Sequence, residues 1–245
     1  MSNGIVLYRG PSMLDGAPIV VIATGIKGRS NNAKTGDMVQ TWILREDVSP
    51  VDAINSGADA SICGDCPHRG ETDGAKVRGR SCYVLVFQAP QNVWKTYKRG
   101  GYIDAVTALE DVGRDRVVRL GSYGDPAAVP AYVWSALTRY SKSHTGYTHQ
   151  WRRAPELAAL CMASADSSAD RAAARMLGFR VFRVRTEHEP VEEREVICPA
   201  SAEAGAKTNC ATCRACGGTS AKARADIVIM AHGNGAGHVA RRAAA

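Results

Sequence analysis

Two apolar, β-branched runs open the chain at residues 5–8 and 18–22, with the turn formers Gly10, Pro11, Asp15 and Gly16 between them. This pattern predicts an N-terminal hairpin capping the body. A polar, glycine-bearing stretch follows at 25–36, then a strand pattern at 39–44. From residue 80 onward, short apolar runs recur at 82–87, 116–120, 146–149, 160–164, 179–184, 195–198 and 226–230. Between several of them the spacing turns helical. Tyr132, Val133, Ala136, Leu137 and Tyr140 mark one face over 131–140, and the stretch 166–177 opens on the cap candidates Ser167 and Ser168 and stops at Gly178.

Strand and helix in alternation predict parallel strands joined by crossovers, hence an α/β fold. No strand is followed by the GxGxxG of a dinucleotide-binding open sheet, so the expected architecture is a partial or irregular parallel (β/α) barrel. The expected organisation is one domain over 1–245. It divides into a hairpin and polar loop at 1–38, a barrel body at 39–197, a cysteine-bearing metal loop at 198–218, and a last strand and tail at 219–245.

Barrels of this kind work at the carboxyl ends of their strands. Polar residues fall in that place here: Ser122 and Asp125, His149, Ser164 and Asp166, and His232. His149 and Asp166 are candidates for moving protons and Asp125 for a further catalytic role. If a cofactor binds there, Ser122 and Asp125 can accept from an ammonium or ribose group, and Arg119 or Arg152 can pair with a carboxylate or phosphate. The competing structural reading is that Ser122, Ser164 and Asp166 cap helices and that Asp125, before Pro126, forms a turn.

The 245 residues carry 31 Lys and Arg against 24 Asp and Glu, a net charge of +7. The excess is concentrated at Arg69, Lys76, Arg78, Arg80, Lys95, Lys98 and Arg99, and again at Arg139, Lys142, Arg152 and Arg153, while acids pool over 187–195. This asymmetry suits an anionic partner such as a nucleotide or nucleic acid. Within 93–102, Trp94 and Tyr97 alternate with Lys95, Lys98 and Arg99, so rings can stack on bases while cations meet phosphates. The alternative there is an amphipathic helix with its rings against the body. No apolar run reaches the roughly 18–20 residues that span a bilayer, and residues 1–10 lack the build of a signal peptide, so a soluble, intracellular protein without a membrane partner is expected.

Eight cysteines fall into groups: Cys63, Cys66 and Cys82; Cys198, Cys210, Cys213 and Cys216; and Cys161 alone. Paired CxxC spacings without a secretion signal point to metal rather than disulfides. Cys198 with Cys210-x-x-Cys213-x-x-Cys216 supplies four thiolates, enough for a zinc ion or a four-iron cluster. Cys63, Cys66 and Cys82 supply three: an iron–sulfur cluster with an open position, or a zinc knuckle closed by His68. Arg69, Arg78 and Arg80 are placed to balance the thiolate charge.

The order of segments carries a resemblance. A polar Asn-x-Lys-Thr-Gly stretch (Asn32 to Gly36), a strand, Cys63-x-x-Cys66-Pro67, Cys82-Tyr83, a strand end from Arg119 to Asp125, another at Gly146-Tyr147-Thr148, and the closing Cys198-Pro199 with Cys210, Cys213 and Cys216 follow one another. This resembles the phage proteins of the gene product eighty-eight type over most of residues 30–218. Those proteins are in turn similar to radical S-adenosylmethionine enzymes, whose partial α/β barrel, like that of a TIM barrel, holds a four-iron (4Fe-4S) cluster on three cysteines near the first strand. In this chain the radical family's CxxxCxxC is replaced by CxxC and the distant Cys82. The resemblance implies a phage-type iron–sulfur protein that uses S-adenosylmethionine on a nucleotide or nucleic acid in the cytoplasm of an infected bacterium. The alternative is a zinc-stabilised nucleic-acid-binding protein without catalysis.

Overall fold

The computed structural model describes residues 3–28, 30, 32–105, 108–233 and 235–243, with side chains described as far as residue 241. Its strands are β1 (Gly4–Pro11), β2 (Pro18–Thr24), β3 (Val39–Arg45), β4 (Glu71–Thr72), β5 (Val77–Arg78), β6 (Ile103–Asp104), β7 (Val117–Tyr123), β8 (Ser143–Thr148), β9 (Met162–Ala165), β10 (Val181–Arg185), β11 (Glu195–Ile197) and β12 (Asp226–Met230). The helices are α1 (Pro50–Ser56), α2 (Ala60–Cys63), α3 (Ala89–Lys98), α4 (Leu109–Gly113), α5 (Ala131–Thr138), α6 (Ser168–Met176), α7 (Cys210–Cys213) and α8 (Ala236–Ala243), the last within the stretch read from sequence as a tail.

Ten strands share one sheet in the order β11-β12-β10-β9-β8-β7-β3-β2-β1-β6, and β4 pairs with β5 apart from it. The seven strands from β11 to β3 run parallel. The α/β class therefore holds, with a large, mostly parallel sheet compatible with a partial barrel. Strands β1 and β2 are antiparallel to each other and β2 to β3, so they extend the sheet beside β3 instead of capping it.

Alternation along the strands sorts their side chains to two faces. On one face Val118 and Leu120 of β7 join Val133, Trp134 and Leu137 of α5 in the main core, and Ala163, Ala165 and Val181 pack with Ala174 of α6. Full burial of Leu120 and Leu137 is worth about 1.5–3 kcal/mol each. The other face carries Met162 and Ile227, covered by Cys216 and flanked by Tyr147, Phe182 and Cys198. The acids over 187–195, read from sequence as one half of a charge asymmetry, are in part spent internally. Glu195 pairs bidentately with buried Arg183 at 2.8 and 2.7 Å, and Glu192 and Asp226 pair with Arg171.

The run at 82–87 is not a strand. Arg80 turns the carbonyls of Cys82 and Val84 onto its guanidinium at 3.1 and 3.0 Å, and Tyr83 and Phe87 are exposed, so no ladder forms there. Among the described residues no helix is long and apolar enough to cross a membrane.

Candidate metal centre

The first cysteine set is assembled above the carboxyl ends of β7, β8 and β9. Helix α2 ends at Cys63, and Gly64 turns the chain at φ +61°; a Cβ there would meet the Gln150 side chain at 2.4 Å. Gln150, just after β8, donates to the Cys63 carbonyl (3.2 Å) and to Asp65 (2.7 Å), fastening the Cys63–Cys66 loop to the strand end. Cys82 arrives from the far side of the β4–β5 hairpin. The His68 carbonyl accepts from both Ser81 N (3.2 Å) and Cys82 N (3.0 Å), closing that excursion. Burial pushes the Cys63 thiol well above its ordinary pKa, and the neighbouring Cys66, Asp59 and Cys82 push it the same way. Burial also raises Cys82, with Arg80 opposing. Cys63 and Cys82 resist ionisation in isolation, and a bound cation would stabilise them as thiolates, but the three sulfurs do not lie mutually within 4.8 Å. Arg69 lies close by, donating to Asp59 and the Gly64 carbonyl, whereas Arg78 points away on β5 toward Asp73.

Beside these thiols stand His149 and Asp166, at the ends of β8 and β9 where the sequence placed them, together with His68. His68 Nε2 is 2.8 Å from Asp166 Oδ1, and its Nδ1 is 2.8 Å from Ser81 Oγ. His149 Nε2 lies 3.5 Å from Asp166 Oδ2. Burial works against the Asp166 carboxylate, yet His149 and His68 hold its pKa well below the ordinary range. Asp166 does not cap α6; Ser167 does, accepting from Asp170 N at 3.0 Å.

Asp125 is nearby but engaged. Its carboxylate accepts from Ala127 N (3.0 Å), Thr148 Oγ1 (2.7 Å) and His149 N (2.8 Å), and its own N donates to the Ile62 carbonyl. It caps the turn after β7 and ties the β7 end, the β8 end and the cysteine helix together.

The second set lies on the sheet face opposite α5 and α6, not at the mouth. Cys198, Cys210, Cys213 and Cys216 line one small cavity with Thr145, Tyr147 and Ile227. Burial pushes the Cys216 thiol up to about 12, and the other three cysteines add to the shift. The Asn32 to Gly36 stretch docks here: Cys210 N and Ala211 N donate to the carbonyls of Lys34 and Thr35 at 3.1 and 2.9 Å. Gly36 is at φ +71°, and a Cβ there would meet Asn209 Oδ1 at 2.5 Å, so the glycine is required for the docking. Arg180 donates to the Ala215 and Gly218 carbonyls.

The residues proposed to hold a cofactor do not gather at the mouth. Arg119 is buried, donates to Tyr83 OH at 2.7 Å and lies over Tyr147, where Cys210 and Cys216 are among the groups that keep its pKa raised despite burial. Ser122 donates to Gln40 at 2.5 Å, and Arg152 stacks on Trp151 and pairs with Asp170. On α3, Trp94 donates to the Arg45 carbonyl and Tyr97 to Glu46, so both rings turn inward while Lys95, Lys98 and Arg99 are exposed. A cleft of about 700 Å³ at the amino ends of β7 and β8 is lined by Lys27, Arg116, Lys142 and Arg214, with Asp37 and Asp115.

Sequence reasoning missed Gln150, Ser81 and the role of Lys34. The signals for Lys34 and Gln150 were present, in the polar stretch at 32–36 and in the polar strand end at 148–151; Ser81 has none. No family model, no curated protein and no solved structure matches the chain.

Proposed function

We propose that this chain is an iron–sulfur metalloprotein with two thiolate centres: a reactive one at Cys63, Cys66 and Cys82 and a structural one at Cys198, Cys210, Cys213 and Cys216. The observation that carries this reading is that Cys66 and Cys82 neighbour His149, which in turn faces Asp166, at the ends of two adjacent parallel strands. A three-thiol cluster there keeps one position open toward solvent, and reactive groups in parallel α/β folds gather at that end. Neither cysteine set has three sulfurs mutually within 4.8 Å, whereas a single zinc ion draws its thiolates to about 3.8 Å. The cluster would supply one-electron chemistry; the chain's own part is to hold it, with Asp125 and Gln150 fixing the loop and Arg69 and Arg80 facing its charge. Arg119, Ser122 and Arg152 do not fit a common S-adenosylmethionine pocket.

Anaerobic purification followed by iron and acid-labile sulfide analysis tests the reading. Stoichiometric iron and sulfide with visible charge-transfer absorption is the expected result. A colourless protein holding only zinc would overturn it.

A second reading, a zinc-stabilised protein that grips nucleic acid without catalysis, is favoured by the cation-lined cleft and by exposed Lys95, Lys98 and Arg99. Under it, replacing these three by Ala weakens single-stranded DNA binding and flattens its salt slope by about 0.7 per lost contact. An affinity indifferent to salt would dispose of this second reading.

A further inference from the structure

We propose that His68, His149 and Asp166 form a binding site for one divalent transition-metal ion, next to the three-thiol centre and separate from it. Their ligand atoms lie within 4.8 Å of one another, and among the described residues no other His, Cys, Asp or Glu trio does so. The spacings of 2.8 and 3.5 Å match those between neighbouring ligands that each stand about 2.1 Å from one ion.

The three come from independent elements. His149 follows β8, Asp166 follows β9, and His68 stands on the short turn after Cys66-Pro67. Ser81 Oγ, 2.8 Å from His68 Nδ1, orients that ring with Nε2 toward Asp166, which is the outer-shell arrangement metal-bound histidines use. The two imidazoles meet edge to face at 5.3 Å, and their Nε2 atoms face the two oxygens of the Asp166 carboxylate, His68 toward Oδ1 and His149 toward Oδ2.

A His–Asp hydrogen bond alone accounts for His68 but not for His149. His149 Nε2 is buried and makes no well-formed hydrogen bond: Asp166 Oδ2 is 3.5 Å away, too far for a good one, and its other polar neighbour is the Cys66 thiol, a weak partner. An ion between the three supplies the strong partner it lacks.

Two imidazoles and one carboxylate select a first-row transition ion such as iron(II), zinc or manganese(II) over calcium or magnesium, which prefer oxygen cages. Three ligands leave positions open. The Asp166 side chain is 24% exposed, so water or a substrate oxygen can approach from its side.

Manganese(II) titration of the anaerobically purified full chain, followed by the electron paramagnetic resonance of the free ion, tests the site, since manganese(II) has little affinity for thiolates. One equivalent bound and displaced by zinc is expected. His149→Ala and Asp166→Asn should weaken binding by about 100-fold or more and Ser81→Ala by about tenfold, with circular dichroism unchanged. Cys82→Ser should strip iron yet keep the manganese equivalent, which separates failure here from failure of the iron–sulfur reading. Absence of both manganese and zinc binding, or binding indifferent to Asp166→Asn, would overturn the proposal.

Discussion

The two cysteine sets use the same side chain in opposite surroundings. The set at 63, 66 and 82 stands at the ends of strands among His68, His149 and Asp166, and its loop is held mostly by side chains: Gln150, Arg69 and Arg80. The set at 198, 210, 213 and 216 is sunk on the sheet face against Tyr147 and Ile227, and its loop is held mostly through main-chain hydrogen bonds to residues 34 and 35, to Val228 and to Gly146. Both sets are partly buried; the first differs in having His149 and Asp166 beside it, the second in facing Tyr147 and Ile227. The first arrangement suits chemistry and the second suits stability.

The largest expected effect breaks the comparison if it is wrong. Cys213→Ser should lower Tm by roughly 10 °C or more, because structural metal contributes on the order of 10 kcal/mol in thiolate domains and each kcal/mol is worth about 2–4 °C at this chain length. Cys82→Ser should shift Tm by less than about 3 °C. Equal shifts in a thermal melt would erase the distinction.

Asp125 offers a sharper cut. Asp125→Ala leaves buried Thr148 and the amides of Ala127 and His149 without their acceptor, a cost of about 3 kcal/mol by denaturant unfolding. It should deplete metal at the mouth and spare the closing site. Loss of metal from both centres would show that Asp125 supports the whole sheet.

The smallest effect is a pH dependence. Burial pushes the Glu195 carboxyl up, but hydrogen bonds from Arg183 and from the Glu192 amide, with the Arg171 charge, more than offset it and leave the pKa lowered. A lowered folded pKa contributes stability that is present above the ordinary carboxylate range and lost as pH falls through the folded value. The acid limb of Tm against pH should therefore flatten in Glu195→Gln, which also lowers Tm at neutral pH. An unchanged acid limb would contradict this account of the pair.

The parallel core was legible in the sequence because strands buried on both faces read as continuous apolar runs, as at Ile227, Val228 and Ile229. The stretch from Cys82 to Phe87 has the same look but forms a loop, with the Cys82 and Val84 carbonyls bonded to the Arg80 guanidinium. His149 and Asp166 could be placed from their positions after strands. Their meeting with His68 could not, because His68 and Asp166 are 98 positions apart. Asp125 was ambiguous for a chemical reason: a carboxylate that caps a turn and one that reacts occupy the same kind of position after a strand. The inward turn of Trp94 and Tyr97 depends on Arg45 and Glu46, which lie far back in the chain.

On the proposed reading the two sets hold separate metal centres with different work. Metal and sulfide content of the anaerobically prepared wild type, Cys82→Ser and Cys213→Ser, measured side by side, tests it most directly. Cys82→Ser should lose one cluster's worth of iron and sulfide while remaining folded, and Cys213→Ser should lose the metal of the closing site together with stability. Identical metal content in all three proteins, or the same loss from both variants, would contradict it.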